Sequence, residues 1–210
     1  MIRIFLTLNI LLCSITVFSQ SDREKYLETI TTRSQKIIQS AELQHLTSSD
    51  ILLNELVNFY DKINTNAEKY EKKLAALKSE PNAKQLEIDK IKMESDSQAK
   101  RIYSSFLRNI SEHANNQRVE ALVDGVTYGL LNRTYNAYLD MIPQLKAEEK
   151  KIIKDMLLEA RDLAVIASDS KERHAAFGKY KGRINNYLSK EGYDLKKEGD
   201  KWKERINKQS

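Results

Sequence analysis

The chain has 210 residues, with 35 Lys plus Arg against 30 Asp plus Glu, 2 Pro, 6 Gly and 1 Cys, and 31% of its residues are charged. Few helix breakers, abundant Lys, Glu, Leu and Ala, and a negative mean hydropathy describe an all-α protein. They exclude a collagen-like, disulfide-stapled or polytopic membrane chain.

In chain order, residues 1–20 come first: Arg3 precedes an apolar stretch from Ile4 to Val17, which reads as a secretory signal peptide. Val17 and Ser19 are small enough for the −3 and −1 positions, so cleavage is expected after Ser19, with the mature chain at 20–210. The stretch is shorter than the roughly 20 residues a transmembrane helix needs, so no integral span is expected after signal removal. Removal also takes Cys13, leaving no thiol, no disulfide and no cysteine metal ligand. The expected compartment is periplasmic or secreted.

Residues 20–114 read as a long-helix scaffold. Tyr26, Leu27, Ile30, Ile37, Ile38 and Ala41 share one side at 3.6-residue spacing. From Asp50, Leu56, Tyr60, Ile63, Ala67, Tyr70, Leu74 and Leu77 alternate steps of four and three, a narrow seam suited to a partner helix. Pro81 predicts a turn over Ser79–Asn82. A third helix follows, with Leu86, Met93, Tyr103, Phe106, Leu107 and Ile110 as its apolar positions. The simplest arrangement is a long antiparallel hairpin.

Beyond Ala114 the composition changes. All six glycines lie from Gly125 onward, with Tyr128, Tyr135, Tyr138, Tyr180, Tyr187, Tyr193 and Trp202. Residues 115–210 therefore read as the part that carries a site. Asn115 and Asn116 can cap a helix running to Asp124, Gly125 and Gly129 bracket a turn, and Pro143 stops a short helix over Tyr135–Ile142. A helix of about twenty residues should carry Ile153, Leu157, Ala160, Ala164 and Ala167 along one side, by helical spacing. Asp169 and Glu172 have capping-box spacing, which starts a helix at Ser170. Along it Gly178 and Gly182 leave a stripe free of side chains, suited to tight helix packing or to ligand access, flanked by Lys179, Arg183 and Asn186. Gly192 ends that helix, and the last runs from Asp194 to Asn207 with Trp202 as an expected core plug. The expected architecture is a long N-terminal helical hairpin packed on a compact C-terminal group of four or five shorter helices, all in one domain.

Catalytic and metal motifs are sparse. No phosphate loop, no zinc helix and no serine elbow occurs, and His45, His113 and His174 lie far apart in sequence. No cofactor and no metal are expected. No dense basic stripe with interleaved aromatics suggests nucleic acid as a partner.

The segments DGVTYG (Asp124–Gly129), TYNAYLDMIP (Thr134–Pro143) and above all FGKYKGRINNYLSKEGYDLKK (Phe177–Lys197) resemble a family of secreted helical bacterial proteins of unknown function filed under sugar binding. The segment TRSQKII (Thr32–Ile38) resembles it more weakly. The chain departs from the family pattern at Ala176, where the family has Trp, and at Lys146, where it has a Thr-like cap. Members come largely from polysaccharide-degrading bacteria, so the resemblance implies a carbohydrate ligand and a link to glycan utilisation.

Sugars present an apolar C–H face to aromatic rings and hydroxyls to planar donors. The candidate binding set is Tyr128, Tyr135, Tyr138, His174, Lys179, Tyr180, Arg183, Asn186, Tyr187 and Tyr193, with Arg183 and Lys179 available to an acidic sugar. The expected function is non-catalytic glycan binding. Two alternatives stay open: an envelope interaction module that docks a helical protein partner or a second copy through the Leu56–Leu77 seam, and a lyase-like enzyme using Tyr180, His174 and Arg183.

Overall fold

The computed structural model describes the backbone of residues 3–79 and 85–209, and side chains from residue 22 onward within those ranges up to 208. The signal-peptide side chains and the Pro81 turn lie outside the described residues. Eight α-helices and no strand occur among the described residues: α1 (Arg3–Ser40), α2 (Ser49–Lys78), α3 (Gln85–Ser111), α4 (Asn116–Val126), α5 (Leu130–Met141), α6 (Ala147–Val165), α7 (Ser170–Lys190) and α8 (Leu195–Gln209). None of the described helices is long and apolar enough to cross a membrane.

Helices α2 and α3 form the long antiparallel hairpin, with Asn66 bonded to Ser95 and Asn109 to Glu55. Helix α1 adds a third antiparallel member through the Arg23–Asp61 ion pair and the Tyr26 hydroxyl, which donates to the Tyr60 carbonyl. Their apolar faces meet in one core around Ile37, Leu52, Leu56, Phe59, Phe106 and Ile110, with Phe59 stacked on Phe106 at 4.5 Å. The sequence seam on α2 is buried through Ile63 and only half-buried from Ala67 to Leu77. Leu86 and Met93, expected on the apolar side of the third helix, are instead exposed at 78% and 69%.

Helices α5 to α8 carry a second core, built from Leu131 and Tyr138 on α5, Ile153, Leu157, Ala160 and Ala164 on α6, and Phe177, Tyr180, Ile184 and Leu188 on α7, with Leu195 of α8 packed against it. Here the helical spacing in the sequence matches the buried face. Helix α4 belongs to the first core through Val119, Leu122 and Val123, and so joins the two. At that junction the buried Arg161 of α6 pairs with Glu120 of α4, and the Tyr103 hydroxyl of α3 donates to Asp162.

The caps explain where the helices start. Asn115 accepts the Arg118 amide at 3.0 Å, Asp169 accepts the Glu172 amide at 2.7 Å, and Asp194 accepts the Lys197 amide at 3.0 Å. The expected capping box is shifted by one residue, because the Glu172 carboxylate takes the Ser168 amide and hydroxyl. At α6 the Glu149 carboxylate reaches back to the Lys146 amide at 2.8 Å.

Gly125 does not bracket a turn. It lies inside α4, where a Cβ would stand 2.7 Å from Cγ2 of Ile37, so glycine lets α4 approach α1 at this point. Gly178 and Gly182 do not mediate helix packing: a Cβ at either would meet nothing within 4 Å.

Candidate functional site

Helix α4 ends in a Schellman motif. The Gly129 amide donates to the Asp124 carbonyl at 2.9 Å and the Tyr128 amide to the Gly125 carbonyl at 3.1 Å. In that motif the residue after the cap is left-handed and most often glycine, yet here it is Tyr128, at φ 60°. The residue is 51% exposed, and the Arg33 guanidinium lies 4.1 Å from its ring centroid. A tyrosine in a strained position at the mouth of a groove is the kind of outlier that collects at functional sites.

The groove runs between α1 and the α4–α5 turn, with a volume of about 550 Å³, lined by Arg33, Lys36, Asp124, Tyr128, Asn132 and Arg133 among others. Arg33 is sandwiched: its guanidinium is also 4.6 Å from the Tyr60 ring, and Nη2 donates to the Val126 carbonyl at 2.9 Å. Arg133 braces the strained turn by donating to the Tyr128 carbonyl at 3.1 Å. Asp124 is buried; one carboxylate oxygen accepts from the Asn132 amide at 2.7 Å and the other has no hydrogen-bond partner. Burial pushes its pKa up, against the opposing pull of the Leu131 amide, Arg161 and Asn132.

A second groove of about 440 Å³ adjoins the first, with Arg133 in the lining of both. Its walls include Tyr138, Met141, Lys181, Asn185 and Trp202. The Tyr138 hydroxyl donates to Asn185 at 2.8 Å, and the Trp202 indole donates to Asp140, which fixes both rings. Trp202 is therefore half-buried in a groove wall rather than a core plug.

From residue 27 to residue 208 the chain matches the model of a family described as protein of unknown function, DUF3826. The chain belongs to this family. No curated protein matches it. The DUF3826 match spans both grooves, from Arg33 on α1 to Trp202 on α8.

Within this DUF3826 domain the sequence-derived candidates disperse. Tyr128 lines the first groove and Tyr138 the second. Tyr135, Tyr187 and Tyr193 are half-buried against the second core, and the Tyr193 hydroxyl bonds the Glu149 carboxylate at 2.7 Å, which with burial raises its pKa to about 12. Tyr180 is buried with its hydroxyl on Glu159, and Arg183 pairs with the same carboxylate at 3.2 Å while lying over the Tyr180 ring. His174, Lys179 and Asn186 are exposed on α7. Neither groove is lined by Gly178 or Gly182.

The residues that sequence reasoning did not select are Arg33, Lys36, Asp124, Asn132, Arg133 and Trp202. The signal was present in part. Segments 32–38 and 124–129 contribute to the lining of the first groove, and segments 134–143 and 177–197 to that of the second.

Proposed function

We propose that the protein is an exported, non-catalytic glycan-binding protein, and that a polysaccharide chain lies along the two adjoining grooves, crossing at Arg133. The observation that carries this is that the two grooves share a bordering residue: each has an aromatic ring in its wall, Tyr128 in one and Trp202 in the other, and Arg133 borders both. An extended trough with rings at intervals suits a polymer of pyranose units better than a single small molecule. Amide and carboxylate groups at Asn132, Asp124 and Asn185 supply both donors and acceptors for hydroxyls. The signal-peptide pattern and the resemblance to proteins filed under sugar binding support the same reading.

The test is affinity electrophoresis of the purified protein through gels containing a panel of plant and algal polysaccharides. Retardation by at least one polymer, relieved by free oligosaccharide, is the expected result. Unchanged migration in every gel would remove the glycan reading.

A further inference from the structure

The polar side chains left free in the second groove are mainly hydrogen-bond donors. Arg133 of α5 and Lys181 of α7 stand in its lining, and no Asp or Glu lines it among the described residues. Arg133 gives one nitrogen to the Tyr128 carbonyl and has no carboxylate partner. The exposed Lys181 ammonium has neither a hydrogen bond nor an ion pair among the described residues. The Asn185 side-chain oxygen is taken by the Tyr138 hydroxyl at 2.8 Å, which leaves the amide NH2 free. The Trp202 indole N–H is spent on Asp140, which is outside the lining. The hydroxyl oxygens of Thr134 and Tyr138 are the remaining acceptors, and both are neutral.

Unpaired cations are ordinary on a convex, fully hydrated surface. Here both border a concavity of about 440 Å³, within the size range of ligand sites, whose other walls include Ala137, Met141, Leu195 and Trp202. Apolar walls of this kind weaken solvent screening, so a negative group in the groove is drawn to two positive charges with no acid in the lining to oppose them. The first groove differs, because the Asp124 carboxylate stands among its cations.

We propose that the second groove is the subsite for an acidic sugar unit, whose carboxylate or sulfate is taken up by Lys181 and Arg133 while Trp202 carries the C–H face of the ring. This rests on the glycan reading above and adds the class of glycan and the groove that reads it. An oxyanion accepts several hydrogen bonds and donates none, which matches a set made of an ammonium, a guanidinium and an amide NH2. A neutral hydroxyl in the same place would leave both charges uncompensated.

The experiment runs each acidic polymer against its own neutralised form: polygalacturonate and alginate against their methyl esters, and carrageenan against its desulfated form. Dissociation constants come from retardation in polyacrylamide affinity gels at physiological salt. At least one acidic polymer is expected to bind about tenfold more tightly than its neutral form, and the pair concerned tells carboxylate from sulfate. Lys181→Gln should cut that ratio to about twofold, and Lys181→Arg, which keeps the charge, should retain most of it. Lys179→Gln removes an equal charge from an exposed position two residues away on α7 that lines neither groove, and should leave the ratio unchanged. Melting curves confirm that each variant folds. Equal or tighter binding of the neutral forms overturns the acidic-sugar proposal while leaving glycan binding in place. An acid preference that survives Lys181→Gln, or that Lys179→Gln weakens as much, overturns it in the same way. Absence of retardation by these polymers and by the wider panel removes both readings.

Discussion

Replacing Tyr128 by glycine separates strain from binding. Tyr128 occupies the left-handed region at φ 60°, which costs an ordinary residue roughly 1–2 kcal/mol; glycine avoids that but has about 0.5–1 kcal/mol more chain entropy to lose on folding. Losing the ring also removes its contact with the Arg33 guanidinium, about 0.5–1 kcal/mol at an exposed site. These effects nearly cancel, so Tyr128→Gly should melt within about 4 °C of the parent for a chain of this size. Tyr128→Ala loses the same ring and keeps the strain, so it should be about 1 kcal/mol less stable than the glycine variant, or about 2–4 °C lower in melting temperature. Both should lose about tenfold in glycan affinity, the worth of one aromatic stack of about 1.4 kcal/mol. Thermal melts by circular dichroism and gel retardation read the two effects independently. An alanine variant as stable as the glycine variant would refute the strain argument, and unchanged retardation in both would refute the role of the ring.

Other predictions follow from the same contacts. Gly125→Ala sets a Cβ 2.7 Å from Cγ2 of the buried, β-branched Ile37, and overpacking of this kind should destabilise by about 1–3 kcal/mol, seen as a lower urea midpoint. Asp124 has a folded pKa raised above 3.8, so its contribution to stability falls as pH rises from 3.8 through the folded value; Asp124→Asn should remove that slope in denaturation curves taken between pH 3 and 7. Glu149 has the opposite sign. The Lys146 amide first, and then the Tyr193 hydroxyl, hold its pKa below 4.5, so the stability it confers is present above pH 4.5 and lost as pH falls through the folded value. Tyr193→Phe should therefore move the acid-unfolding midpoint to higher pH; an unmoved midpoint would show that this hydrogen bond does not contribute.

How far the sequence could be read depended on whether the signal was periodic or conformational. The buried faces of α6 and α7 follow from 3.6-residue spacing alone, since Ile153, Leu157 and Ala160, or Phe177, Tyr180 and Ile184, can be buried only on one side. Leu86 and Met93 break that logic because they precede the part of α3 where Ala99, Phe106 and Ile110 enter the core. The site was less legible. Its defining features are a left-handed tyrosine in a helix cap, which the pattern assigned to a turn bounded by glycines, and two cations of one groove, from α5 and α7, left without acids. Spacing cannot relate residues 133 and 181, which lie on separate helices. The tyrosines of α7 were conspicuous in composition, but Tyr180 and Tyr187 are amphipathic packing residues whose rings serve the second core.

The most direct test of the groove as the glycan site is a titration of isotope-labelled protein with oligosaccharides from partial digests of the panel polymers, followed through backbone amide shifts. The account predicts saturable shifts along one path, at Arg33, Asp124, Tyr128, Arg133 and Trp202. Shifts confined to the exposed α7 face of Lys179, Arg183 and Asn186, or no shift with any digest, would contradict it.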